Sequence, residues 1–258
     1  MAIEHQEAAV EFCADSELGY DRSRTRFAPG EGLALDEQYR LVHLPLVAPD
    51  HPAIIPTRAG TFYERGRHPR VVSLVVPVPW DALSASREFQ ELERDLRGAP
   101  FAAKIAWDVL ARRRDRLHAT LSGSLTIGQD GAPEVTAAQR RQLAEIGPIR
   151  VDLRGLFSGN VNLGRLYLRA YPARRNGANP FHAIQRIFGR PETDLYVVGL
   201  YNLTADLTAA EASALAALIA RWWDRSILQI EVSSLWLIWT RDALVLDGGV
   251  AQEVPLGV

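Results

Sequence analysis

The stretch Leu117-His-Ala-Thr-Leu-Ser122 decides our interpretation of the fold, because it alternates apolar and polar side chains as a half-buried strand does. Side chains on a strand point alternately to its two faces. His118 and Thr120 therefore share one face with Arg116 and Ser122, while the intervening apolar residues face a core. The sequence predicts a strand with one polar face that can carry chemistry.

A second strand, predicted over residues 195–204, carries Asn202 and Thr204 on one face by the same alternation. Each of these two strands precedes a predicted helix that begins with capping-box spacing, at Thr136 and at Thr208. Two further strands follow each helix. The order strand, helix, strand, strand thus occurs twice, with the motif strands 84 residues apart (118 to 202), which indicates an internal duplication.

Two such units predict an α+β fold that is bilobal, with two pseudo-twofold-related antiparallel-sheet lobes, helices outside and a central cleft. Residues 1–70, rich in proline, are interpreted as an irregular N-terminal extension packed on the main domain, and residues 71–258 as a single bilobal domain. The last two strands, 227–232 and 235–240, are expected to turn at residues 233–234. Across the cleft, His118 and Thr120 are expected to face Asn202 and Thr204.

Composition limits the class of protein. With 47% apolar and 23% charged residues among 258, the chain is typical of globular proteins, and its apolar stretches are too short or interrupted to cross a bilayer. Residues 1–7 lack the positive charge of a secretory signal, so a cytoplasmic protein is expected. The single Cys13 provides neither a disulfide framework nor a thiolate cluster for zinc. A net charge of −2 argues against a duplex-DNA-coating protein and is compatible with a small anionic ligand.

The predicted strand 163–171 carries a candidate binding face made of arginine and tyrosine. Four residues share that face, where they could stack a base and pair with a phosphate: Arg165, Tyr167, Arg169 and Tyr171. A solvated outer sheet face is the alternative. Three more candidate substrate-binding residues adjoin the motifs: Arg116, Ser122 and Tyr201.

The motif His118-x-Thr120, followed by Leu121, together with its altered repeat at Asn202 and Thr204, resembles the two-histidine (2H) phosphoesterase superfamily. That superfamily includes the 2′-5′ RNA ligase-like proteins and cyclic phosphodiesterases, and its hallmark is two His-x-Thr/Ser motifs on strands of two related lobes. The first motif matches fully. The second matches only at Thr204, because Asn202 stands where the family has histidine. Order and spacing extend the resemblance over roughly residues 71–246.

The resemblance implies a metal-independent phosphoric diester hydrolase without cofactors, acting on a 2′,3′-cyclic phosphate or a 2′-5′ phosphodiester of a nucleotide or RNA end. In that family two imidazoles exchange protons with the attacking and leaving oxygens. His118 would be a general acid or base, and Thr120 and Thr204 would hold the phosphoryl group. Asn202 would occupy the second position, where an amide cannot shuttle a proton at neutral pH.

Several alternatives remain open. His118 alone suffices for a substrate with a good leaving group; or Asp206, Tyr201 or Tyr167 supplies the missing acid; or the cleft is a binding module for a nucleotide or RNA terminus. In a different class, the chain is a structural or interaction protein whose motifs are coincidental and do not converge in space. No membrane partner is expected, and nothing in the sequence predicts an oligomeric state.

Overall fold

Eight antiparallel strands form one curled sheet in the computed structural model, which describes residues 10–160 and 162–257. The expectation about a secretory signal concerns residues outside these ranges. The sheet order is β6-β3-β4-β5-β2-β1-β7-β8. The strands are β1 (Arg67–Pro77), β2 (His118–Ile127), β3 (Ile149–Phe157), β4 (Arg165–Pro172), β5 (Val197–Asn202), β6 (Ser226–Val232), β7 (Ser234–Asp242) and β8 (Gly248–Pro255).

The helices make this an α+β protein, as predicted. Both predicted capping boxes are confirmed, because the hydroxyls of Thr136 and Thr208 each accept a hydrogen bond from the backbone N–H three residues on. The helices are α1 (Asp15–Leu18), α2 (Tyr20–Ser23), α3 (Glu37–Val42), α4 (Leu44–Val47), α5 (Trp80–Ala85), α6 (Arg87–Arg97), α7 (Trp107–Arg113), α8 (Ala137–Ile146), α9 (Pro180–Ile187) and α10 (Ala209–Trp222). None of the described helices has the length and apolar composition needed to cross a membrane.

The two motif strands, β2 and β5, are neighbours at the centre of the sheet. They are joined at the pair Ala119 and Val198, with β1 beyond β2 on one side and β4 beyond β5 on the other. Four strands therefore lie on each side of the β2–β5 junction, and His118 belongs to one of the two strands that meet there.

The predicted hairpin at residues 233–234 is wrong. β6 pairs with β3 at one edge of the sheet, whereas β7 lies between β1 and β8 near the other edge. Only Ser233 separates β6 from β7, and the commonest tight hairpin loops need two residues. The chain therefore crosses from one half of the sheet to the other at Ser233, and the last hairpin is formed by β7 and β8.

The N-terminal extension is more regular than predicted, because residues 10–66 contain the short helices α1 to α4. Its contacts reach β4 and the segments on either side of β5. The hydroxyl of Tyr20 lies 2.8 Å from the carbonyl oxygens of both Ala170 and Tyr196, and Leu33 forms a bridge with Leu207. The extension thus covers part of the half of the sheet that follows the β2–β5 junction.

Candidate functional site

A cavity of about 190 Å³ lies at the β2–β5 junction, and we call it the arginine cavity. His118 and Thr120 of β2 form part of its wall, as the strand alternation predicts. The remaining wall comes from α7, from β4 and β5 with the segments just before them, and from the β7–β8 turn. Its lining residues are Arg113, His118, Thr120, Asn162, Arg165, Tyr167, Leu195, Val197, Gly199, Ala243 and Val245.

Two arginines converge on this cavity. Arg113, 4% exposed, donates from Nη1 to the carbonyl oxygen of Leu244 at 3.1 Å and from Nη2 to that of Gly199. Arg165 is half-buried, with its guanidinium 5.1 Å from the centre of the Tyr167 ring. Within residues 10–160 and 162–257 neither guanidinium forms an ion pair with a carboxylate. The Nε atom of each arginine is also buried without a hydrogen-bond partner. Two guanidiniums without carboxylate partners are suited to bind an anion.

Gly199 on β5 allows the two guanidiniums to approach the same patch of backbone. A Cβ at this position would lie 2.2 Å from Nη2 of Arg165 and 3.0 Å from Nη2 of Arg113. Burial, with the charge of Arg165, lowers the pKa of Arg113 to about 9. Arg113 therefore remains cationic at neutral pH, and an anion in the cavity would offset the repulsion between the two guanidiniums.

His118 is held as a neutral imidazole. Its Nδ1 lies 2.6 Å from the carbonyl oxygen of Arg116, which only accepts, so Nδ1 carries the proton and Nε2 keeps its lone pair. Burial lowers the pKa of His118 to about 4, and the charges of Arg113 and Arg165 act in the same direction against the effect of the backbone hydrogen bond. At neutral pH, His118 is therefore available as a proton acceptor.

Asn202 does not face His118 across an open cleft, because a tyrosine of the extension covers it. Its side chain is 0% exposed, and its Nδ2 donates to the hydroxyl of Tyr39 at 3.2 Å. That hydroxyl donates in turn to the carbonyl oxygen of Leu203 at 2.7 Å. Thr204 follows the end of β5, where its backbone N–H donates to the carbonyl oxygen of Lys104. Neither Asn202 nor Thr204 lines the arginine cavity.

Of the candidate residues on β4, Arg165 and Tyr167 line the cavity, but Arg169 does not. Arg169 is fully buried beneath the extension, with its Nη1 3.3 Å from the Asp15 carboxylate and its guanidinium 3.7 Å from the Trp223 ring centre. Its contacts attach the extension to the sheet.

Three other candidates also lie outside the cavity. Arg116 donates from Nη1 to the carbonyl oxygen of Gly248 at 2.7 Å. Ser122 is buried beyond a register shift between β1 and β2. A register shift between β4 and β5 pairs Tyr201 with a core residue, and its hydroxyl donates to Glu93 at 3.2 Å. The alternation of side chains between the two faces of a strand fails at Ser122 and Tyr201, because the strand pairing is irregular there.

Sequence analysis missed two polar residues that line the arginine cavity, Arg113 and Asn162, and a buried histidine that contacts one of them. Arg113 belongs to an arginine triplet that the sequence marks only as basic. Asn162 lines the cavity, and its Oδ1 lies 3.1 Å from Nε2 of His43, which is buried at 3% exposure. Burial, with the charge of Arg165 acting in the same direction, lowers the pKa of His43 well below its usual value. No local pattern around His43 indicates this contact, because it joins the extension to residues far along the chain.

A second cavity of about 190 Å³ adjoins the first, and we call it the aromatic cavity. It shares His118, Thr120, Ala243 and Val245 with the arginine cavity. Its other lining residues are Phe62, Tyr63, His68, Val71, Ser73, Ser124, Ile238, Thr240 and Asp242. In the described part of the chain, no group of three or more histidine, cysteine, aspartate or glutamate side chains is arranged to hold a metal ion.

Comparison with known proteins gives little guidance. No family model matches the chain, and no curated protein matches it. Among solved structures, the crystal structure of TT0787 of Thermus thermophilus is similar, with 14% sequence identity and a TM-score of 0.33. The match covers 72% of this chain and 97% of that one. A likeness this distant assigns neither family nor function.

Proposed function

We propose that the protein is a metal-independent phosphodiesterase acting on a 2′,3′-cyclic phosphate or a 2′-5′ phosphodiester of a nucleotide or RNA end, as the resemblance to the 2H phosphoesterases implies. The observation that carries the proposal is the convergence of Arg113 and Arg165, without carboxylate partners in the described chain, on a cavity that also contains His118 and Thr120.

The charges of the arginine cavity suit a phosphodiester anion. The guanidiniums of Arg113 and Arg165 would bind its non-bridging oxygens, and the hydroxyl of Thr120 would donate a further hydrogen bond. These groups would also stabilise the additional charge that accumulates when water attacks phosphorus. Nε2 of His118 would accept the proton of that water as the new P–O bond forms and the bond to the leaving oxygen breaks.

The leaving oxygen requires a proton, and the geometry favours Tyr167 as its donor. The other two candidate acids make contacts elsewhere. Asp206 accepts a hydrogen bond from the backbone N–H of Leu35 at 2.7 Å, and the hydroxyl of Tyr201 donates to Glu93. Tyr167 lines the cavity beside Arg165, and a tyrosine hydroxyl can act as a general acid. The proton gained by His118 then returns to the phenolate of Tyr167 through solvent or product.

Turnover of 2′,3′-cyclic nucleotides and 2′-5′-linked dinucleotides in EDTA tests the proposal. We expect wild-type turnover to fall by a factor on the order of 10²–10⁴ in His118→Ala and by at least ~10 in Tyr167→Phe. His182→Ala is the matched control, because His182 lies on α9, where it contacts Glu192 and Asp194 rather than either cavity. Equal turnover by wild type and His118→Ala would contradict the proposal.

The alternative is a binding module for a nucleotide or RNA end, and two observations favour it. Asn202, at the position of the second motif histidine, is buried against Tyr39, and in the described part of the chain no second imidazole lines the arginine cavity. Cyclic-nucleotide binding that weakens in His118→Ala, with no turnover in wild type, would support this alternative. Absence of both turnover and binding would exclude both functions.

A further inference from the structure

We propose that the aromatic cavity binds the nucleobase of the ligand whose phosphate occupies the arginine cavity, so that the ligand is a nucleotide. This inference rests on the proposed use of the arginine cavity for phosphate. It assigns stacking of the base to Phe62 and Tyr63 of the N-terminal extension, which line the cavity together with residues of the sheet.

The aromatic surface of this cavity comes from the turn before β1. Phe62 is 50% exposed, which makes it one of the few large apolar side chains left open in the described structure. Its ring centre lies 4.9 Å from that of Tyr63, whose ring meets His68 edge-on at 5.5 Å. An aromatic side chain supported on one side and open on the other provides a surface on which a base can stack.

The turn that carries these rings is held by backbone hydrogen bonds. The N–H groups of Glu64 and Arg67 each donate to the other residue's carbonyl oxygen at 2.9 Å, and the N–H of Arg65 donates to the carbonyl oxygen of Pro56 at 2.7 Å. Phe62 and Tyr63 are therefore positioned before a ligand arrives, which reduces the conformational entropy lost on binding.

The two cavities adjoin at the residues that carry the chemistry. Because His118 and Thr120 line both, a ligand with its phosphate against Arg113 and Arg165 would extend past His118 toward Phe62. Ser73 and Ser124 add polar groups to the wall of the aromatic cavity, where they can hydrogen-bond a ribose or the edge of a base.

The arginine and tyrosine row of β4 does not provide this surface beyond Tyr167. Arg169 and Tyr171 lie beneath the extension and contact Asp15, so a base cannot reach them. The extension thus covers Arg169 and Tyr171 on β4, and it supplies Phe62 and Tyr63 to the aromatic cavity.

Calorimetric titration with two probes in EDTA tests the inference: inorganic phosphate and adenosine 3′-monophosphate. We expect wild type to bind the nucleotide more tightly than phosphate. Phe62→Ala should weaken nucleotide binding by about 5- to 150-fold, since stacking on one aromatic side chain is worth roughly 1–3 kcal/mol per base. The affinity for phosphate should change by less than about twofold, which is within about 0.4 kcal/mol.

Two variants distinguish the base-binding role of Phe62 from other effects. Phe62→Trp keeps a stacking surface and should retain nucleotide affinity, whereas Arg165→Gln should weaken both probes. Unchanged nucleotide affinity in Phe62→Ala would overturn the base-binding role and leave the proposed function standing. If wild type binds neither phosphate nor nucleotide, the proposed function fails and this inference fails with it.

Discussion

Nδ2 of Asn202 lies 3.2 Å from the hydroxyl of Tyr39 and donates a hydrogen bond to it beneath the surface of the protein. The extension thus fills the space beside the second motif of the sheet. Gly164 makes room for the tyrosine, because a Cβ there would lie 2.5 Å from Cζ of Tyr39. A histidine at 202 would have to compete with this ring for the same volume.

Asn202→His should therefore fail to increase turnover. The larger ring would displace Tyr39 in a closely packed region, and we expect a loss of about 1–3 kcal/mol in the free energy of unfolding. Urea denaturation and the cyclic-nucleotide assay measure the two effects. Thr204→Val, at a half-buried position outside both cavities, is the control. A variant that gains activity tenfold without losing stability would show that position 202 can reach the substrate.

Gly199→Ala should weaken phosphate binding with little loss of stability. The added methyl group would contact the ends of the Arg165 and Arg113 side chains and move their guanidiniums out of position. The nearer end, that of Arg165, is half-buried and can move aside, so we expect less than ~1.5 kcal/mol of destabilisation alongside a loss of ligand affinity. Calorimetry with inorganic phosphate and thermal unfolding separate these effects. Unaltered phosphate affinity would exclude a joint role for the two guanidiniums.

Arg165→Gln and Arg169→Gln form a matched pair, since both residues belong to β4 but only the first lines the arginine cavity. Arg165→Gln should reduce phosphate affinity by about tenfold or more, because a charged hydrogen-bond donor contributes roughly 1.5–3 kcal/mol. Arg169→Gln should mainly lower the free energy of unfolding, because Arg169 is buried against Asp15 and Trp223. The opposite pattern would place anion binding under the extension instead of at the β2–β5 junction.

The lowered pKa of His118 predicts the dependence of catalysis on pH. Since the free protein loses its proton acceptor only near pH 4, kcat/KM should be nearly constant from about pH 5 to neutrality and fall below about pH 4. A profile with its acid limb near pH 6.5 would indicate a histidine with an ordinary pKa and contradict the lowered value.

The same pKa shift affects stability in a defined direction. A histidine whose pKa is lower in the folded than in the unfolded chain stabilises the fold fully above its ordinary pKa of 6.5. For His118 this contribution is lost as the pH falls from 6.5 through about 4. Urea denaturation at about pH 7, 5 and 4 should therefore show a smaller acid-dependent loss in His118→Gln than in wild type; equal losses would contradict the shift.

Local patterns were sufficient to predict most of the secondary structure. Alternation placed His118 and Thr120 on one face of β2, and both capping boxes were recognisable from spacing because they depend on residues three apart. Arg165 and Tyr167 followed from the same alternation on β4. In each case the information lies within a few neighbouring residues.

The contacts that define the cavity were beyond such patterns. Tyr39 reaches Asn202, and His43 reaches Asn162, across more than a hundred residues of sequence. The irregular pairing that directs Ser122 and Tyr201 away from the site has no signature in either strand alone. These features depend on where the extension lies on the sheet, which is a tertiary property.

The crossing at Ser233 constrains the order in which the molecule can assemble. β1, near the start of the sheet in sequence, pairs on one side with β2 and on the other with β7, so it has an open edge until residues 234–242 are available. Long-range pairing of this kind slows folding and exposes unpaired backbone in the meantime. A nascent chain would carry the His118 strand in a half-finished sheet, vulnerable to association with other chains, until its last strands emerge.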